Sequence, residues 1–72
     1  MQYYKLGNFI RKQRENLGVS LNKFALDNDI DSAILSRIET QKQNIKINVL
    51  EKISKGFNMT PAEFLTKFEQ SN

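Results

Sequence analysis

The chain has no cysteine and no histidine, and only one proline and three glycines among its 72 residues. Without cysteine there is no disulfide, no thiolate metal site and no thiol nucleophile. Without histidine there is no imidazole for acid–base or triad chemistry. The glycines, Gly7, Gly18 and Gly56, stand far apart, which excludes a glycine-rich phosphate loop. No apolar stretch approaches the roughly 20 residues of a membrane span. The opening residues, Met1 to Leu6, are polar and aromatic and carry no leader pattern. These absences lead us to expect a non-enzymatic protein of the reducing cytoplasm, with no cofactor, no metal, no membrane contact and no small-molecule ligand.

What is present fits one globular domain covering residues 1–72. The hydrophobic fraction is 39%, above that of disordered chains. A core this small must pack well or lean on a partner. Eleven Lys and Arg against eight Asp and Glu leave a net charge of +3. That excess permits a nucleic-acid partner, and equally suits an ordinary basic domain.

Three places carry the same helix-start pattern. Ser20 stands between Val19 and Phe24, Asp31 between Ile30 and Leu35, and Thr60 between Met59 and Phe64. Each is a capping side chain flanked by an apolar staple. The third adds Glu63 to form a capping box and Pro61 at the first helical position, where a missing N–H is harmless. Working outward from these caps predicts helices over 6–17, 21–28, 32–39, 47–57 and 61–68, and an all-α fold. Gly18 and Asn58 serve as helix stops. Leu50, Ile53 and Phe57 share one face of the fourth helix, and the last few residues fray.

Only three residues separate the second helix from the third. Two short helices on so tight a turn cross steeply, and the second then stands out from the body. Such a helix fits the major groove of B-DNA. Phe24, Ile30, Leu35 and Ile38 would face inward, with Ala25 small where the helices pass. Ser32, Ala33, Ser36 and Arg37 would face outward. Arginine can bind guanine through two hydrogen bonds, and serine can serve either base edge.

Over residues 6–65 the chain resembles the Cro and phage-repressor type of helix-turn-helix domain, the xenobiotic-response-element family. The resemblance rests on Ile10, Arg11 and Arg14, on Gly18-Val19-Ser20, on Phe24-Ala25, and most of all on Leu35-Ser36-Arg37-Ile38-Glu39. Leu50, Ile53, Met59-Thr60 and Phe64-Leu65 complete it. The resemblance implies a lambda-repressor-like five-helix bundle with its helix-turn-helix unit at 20–39. It implies a DNA-binding transcriptional regulator, which could repress, activate by touching polymerase, or act as a controller or antitoxin; it would act on double-stranded DNA, with a homodimer expected. Base contacts fall to Ser32, Ala33, Ser36 and Arg37. Backbone contacts fall to Arg11, Ser20, Thr40, Lys42, Gln43, Asn44 and Lys46, although Arg11, Lys42 and Lys46 also read as plain solvated cations. Arg14 and Glu39 are expected to form a buried ion pair. Thr60, Pro61, Phe64 and Phe68 are expected at the dimer contact, with Phe68 equally able to fold back on the core.

The sequence departs from the family pattern at several points. Leu21 stands where a phosphate-binding glutamine is common. Asp29 stands at the usual glycine of the turn, and Gln41 and Ile45 replace a glycine and a proline. Asp27, Asp29 and Asp31 bring negative charge beside the expected DNA surface. They do not read as a calcium loop, which wants glycine and glutamate where Ser32 and Ile38 occur. The aspartates and Leu21 motivate an alternative reading, a protein–protein adaptor or antitoxin-like module with weak DNA affinity.

Overall fold

The computed structural model describes residues 5–71, so the polar and aromatic start of the chain lies mostly outside the described residues. Five helices follow one another: α1 (Leu6–Asn16), α2 (Leu21–Asp27), α3 (Ser32–Glu39), α4 (Ile47–Gly56) and α5 (Pro61–Gln70). There is no strand among the described residues.

Three helices start on the caps read from the sequence. The Ser20 hydroxyl accepts from the Lys23 N–H at 3.2 Å. The Asp31 carboxylate accepts from the N–H groups of Ala33 and Ile34 at 2.8 and 3.2 Å. Thr60 and Glu63 satisfy each other's backbone N–H at 3.1 and 2.8 Å, completing the capping box. These bonds pair donors that a helix leaves without internal partners. The staple residues Val19, Ile30 and Met59 all pack on or within the core.

Four helices also end alike. Each passes into a left-handed residue: Gly18, Asp29, Gln41 and Asn58, with φ of 71°, 55°, 64° and 59°. The next two N–H groups turn back onto the last-turn carbonyls. After α2, for example, Asp29 donates to Leu26 and Ile30 to Ala25, at 3.4 and 2.9 Å. This is the Schellman arrangement, and it reverses the chain within two residues. The sequence reading ran α1, α2 and α4 one residue too far. Leu17, Asn28 and Phe57 are the C-caps, whose near-helical dihedrals only break at the following residue. The reading stopped α5 two residues short: Phe68 is buried and anchors a last turn that Ser71 closes, its hydroxyl donating to the Phe68 carbonyl at 2.7 Å.

All five phenylalanines join one aromatic chain through the core. Phe9 lies 5.4 Å from both Phe64 and Phe68, Phe57 stacks on Phe64 at 5.4 Å, and Phe24 meets Phe57 at 5.0 Å. The chain thus ties α1, α2 and α5 through the end of α4. Ring pairs at this spacing add to the area they bury. Phe64 and Phe68 are 0% and 1% exposed. The fold takes both rings into its own core, which for Phe68 is the fold-back that the sequence left open beside the dimer contact, and for Phe64 leaves no exposed ring to offer a partner.

At Gly7 the backbone of α1 comes close to that of α3. A Cβ on Gly7 would overlap the Ile38 carbonyl oxygen and come within 2.9 Å of its carbon. Gly56 is tight in a softer way, with a Cβ there 2.7 Å from the Phe24 ring and 2.9 Å from the Asn28 amide. Alanine gains up to about 1 kcal/mol over glycine in a helix interior and less at the helix ends where both residues stand, so what the added methyl meets decides between the two sites. Gly56→Ala should lose less than about 1 kcal/mol, since two side chains can shift to admit the methyl. Gly7→Ala should lose about 3 kcal/mol, since α3 itself must move. Urea unfolding followed by helical circular dichroism separates the two, and equal losses would contradict the backbone contact.

Candidate nucleic-acid interface

Arg14 on α1 holds three segments together. Its Nε and Nη2 donate to Oε2 and Oε1 of Glu39 at 2.8 and 2.9 Å, a two-bond fork onto the last residue of α3. Its Nη1 donates to the Val19 carbonyl at 2.7 Å, just before the cap of α2. The pair is buried, as the family resemblance implied; the bond to Val19 was not legible in the sequence. The bond to Glu39, outweighing the loss of water, raises the Arg14 pKa above its ordinary value. A raised cation gives stability that is complete below its unfolded pKa and lost only as pH climbs through the folded one. The contribution is therefore constant across neutral pH.

With both ends of the helix pair held, α3 is displayed in a fixed orientation. Asp29 makes the left-handed corner between α2 and α3. Lys52 of α4 reaches that corner, donating to the Asp29 carbonyl at 2.8 Å with the carboxylate 3.5 Å away. Leu35, Ile38 and Glu39 of α3 are buried. Ser32, Ala33 and Arg37 are exposed, and Ser36 is half-buried. The four residues expected at base edges thus share the outward face of one helix.

The loop over 40–46 runs on from that face and is bound at both ends. Gln41 and Lys42 donate to the carbonyls of Ile38 and Arg37 at 3.0 and 2.8 Å. At the far end Ile45 is half-buried against the core, in place of the family's proline. Between these anchors Lys42, Asn44 and Lys46 are exposed. Neither lysine is paired with a described carboxylate. Lys46 opens α4 without a side-chain cap, so first-turn N–H groups stand beside a lysine, a combination suited to a phosphate oxygen. Gln43 is half-buried and accepts from Arg37 Nε at 2.8 Å, a contact the sequence did not disclose.

Other expected backbone contacts are already engaged. The Thr40 hydroxyl donates to the Ser36 carbonyl at 2.8 Å. Arg11 pairs with Glu15 at 3.3 Å on the exposed side of α1, a bond weak enough to exchange. Ser20 uses its oxygen as an acceptor in capping α2, and its O–H stays available to donate.

The departures from the family pattern have structural explanations. Leu21 is half-buried and packs on the core. The Asp27 carboxylate meets Lys23 at 3.1 Å, Asp29 meets Lys52, and Asp31 caps α3. Each negative charge near the helix-turn-helix unit thus has a local positive or N–H partner. No group of three or more His, Cys, Asp or Glu among the described residues is placed to hold a metal ion. A cleft of about 370 Å³ between the start of α1 and the loop is lined by Leu6, Gly7, Ile38, Gln41, Gln43, Asn44 and Ile45, none of them ionisable.

A family model described as a helix-turn-helix domain matches residues 7–69. Among characterised proteins the chain is similar to Control protein C.MunI of Mycoplasma sp. The two are 36% identical over 67 residues, covering 92% of this chain and 90% of the relative. No solved structure matches significantly.

Removing one partner of a buried ion pair strands the other, at about 3–5 kcal/mol. Glu39→Gln should fall at about 3 kcal/mol, because the amide oxygen keeps one bond to Arg14. The double change Arg14→Leu with Glu39→Leu should lose less than Glu39→Gln alone, since it buries no unpaired charge. Urea midpoints test both, and an unchanged midpoint for Glu39→Gln would contradict the role of the pair.

Proposed function

The chain belongs to the helix-turn-helix domain family and is a DNA-binding transcription regulator, and we propose that it reads a specific duplex through α3 in the major groove. The observation that carries this is the single outward face of Ser32, Ala33, Ser36 and Arg37, continued by a cationic loop. On this reading Arg37 binds guanine through paired bonds, Ser32 and Ser36 meet base edges, and the Ala33 methyl suits a thymine methyl. Lys42, Asn44, Lys46 and the start of α4 follow the sugar-phosphate backbone, with Ser20 on the other side of the groove.

One helix reads only a few base pairs, so useful specificity calls for two copies on an inverted repeat. The homodimer is part of the proposal. With Phe64 and Phe68 in the core, its contact falls to what remains open at the entry to α5, exposed Thr60 and half-buried Pro61. The working place is then the cytoplasm and the role that of a repressor or controller, in keeping with the relative's description as a control protein. The family is in general one of binding modules rather than enzymes. No helix among the described residues is long and apolar enough to cross a membrane. The adaptor reading loses its two motives, since Leu21 packs inward and the aspartates have local partners.

Selection of duplexes from a random pool at physiological salt should recover an inverted repeat with half-sites about one helical turn apart. On that repeat, Lys42→Ala and Lys46→Ala each remove one phosphate contact per protomer, so each should flatten the salt dependence by about 1.8 log units per log unit of salt for the dimer and weaken all sequences alike. Arg37→Ala should cost about 1–3 kcal/mol per half-site and relax preference at one position in each half-site. A folded protein that enriches no sequence would overturn the proposal in favour of a protein partner.

A further inference from the structure

We propose that Gln43 is a positioning residue that sets how Arg37 meets guanine; the inference rests on the reading of α3 as the base-reading helix. Arg37 is exposed, and a free arginine on a helix surface samples many rotamers. Here its Nε donates to Gln43 Oε1 at 2.8 Å across six residues of chain. The foot of the loop is fixed to the same turn. Lys42 N–H donates to the Arg37 carbonyl itself at 2.8 Å, and the Thr40 hydroxyl donates to Ser36 at 2.8 Å. Gln43, next along the chain, is therefore carried at a set place beside Arg37 rather than meeting it by chance.

The chemistry of the contact has two consequences. Guanidinium donors can only donate, so the glutamine must turn its oxygen to Arg37 and its NH₂ away. With Nε occupied, Arg37 keeps its two terminal NH₂ groups, and a paired bond to guanine O6 and N7 must be end-on. The neutral amide holds the arginine without cancelling its charge, as a carboxylate would. The glutamine's outward NH₂ belongs to the loop that follows the backbone, where it suits a phosphate oxygen. Gln43 thus couples phosphate contact to base reading, because a phosphate that fixes the amide also fixes Arg37.

The test compares wild type, Gln43→Ala, Gln43→Glu, Arg37→Ala and the double alanine variant. Each competes the selected duplex against copies with single guanines replaced by adenine, at fixed salt, with thermal melts confirming the fold. Gln43→Ala should reduce the guanine preference about fivefold, the order expected for releasing one held side chain. In the Arg37→Ala background the same change should leave preference where it is. Gln43→Glu retains the acceptor and should keep the preference while weakening every duplex. The proposal is overturned if Gln43→Ala weakens all duplexes equally with preference intact, the mark of a phosphate contact alone. It is also overturned if Gln43→Glu loses preference as fully as Gln43→Ala does. In both cases a wild type that discriminates, and an Arg37→Ala that does not, leave the reading of α3 standing. If Arg37→Ala discriminates as wild type does, that reading fails and this inference with it.

Discussion

The two-bond fork from Arg14 to Glu39, with its third bond to Val19, is the constraint on which the display of α3 depends. A helix of eight residues has little stability of its own, and on the proposed reading it must stand out from the body. The protein resolves this by capping its start locally and gripping its end from α1. Asp31 caps the start, and the end is held by Arg14 through Glu39 and by the close approach of Gly7 to Ile38. A buried ion pair contributes little net stability after desolvation. What it supplies is direction, because a forked bond is satisfied in only one relative setting of α1 and α3. The same arginine binds the carbonyl before α2, so the helix-turn-helix unit is oriented as a body.

Charge near that unit is handled locally. Asp27, Asp29 and Asp31 are matched by Lys23, Lys52 and the first-turn N–H groups of α3. Exposed pairs of this kind add little to stability, yet they keep the acidic residues from facing a polyanion unopposed. Lys42 and Lys46, by contrast, have no described carboxylate partner.

The features legible in the sequence were the short-range ones. Caps at Ser20, Asp31 and Thr60 are bonds spanning two or three residues, so a local pattern shows them. The inward set of Phe24, Ile30, Leu35 and Ile38 follows from helical period, and the outward set of α3 is its complement. The pairing of Arg14 with Glu39, 25 residues apart, came only through family resemblance. Other features were hidden because they depend on how helices meet. Gly7 looks like any glycine until α3 crosses it. Phe68 reads equally as an exposed residue or a core one until the ring of Phe9 is placed against it. Gln41 looks unsuited to a glycine position, yet takes a left-handed φ of 64° because the Schellman bonds around it repay the strain. The bond from Arg37 to Gln43 needs that turn to exist first.

The central claim is that α3 and the loop behind it form one surface for DNA. The most direct test is to follow backbone amide signals by NMR as a selected duplex is added. The account predicts that the largest shifts fall on residues 32–37 and 40–48 and on Ser20, with α5 beyond Pro61 little changed. Shifts that centre on α5, or on the exposed Leu26 side of α2 with residues 32–37 unmoved, would contradict it.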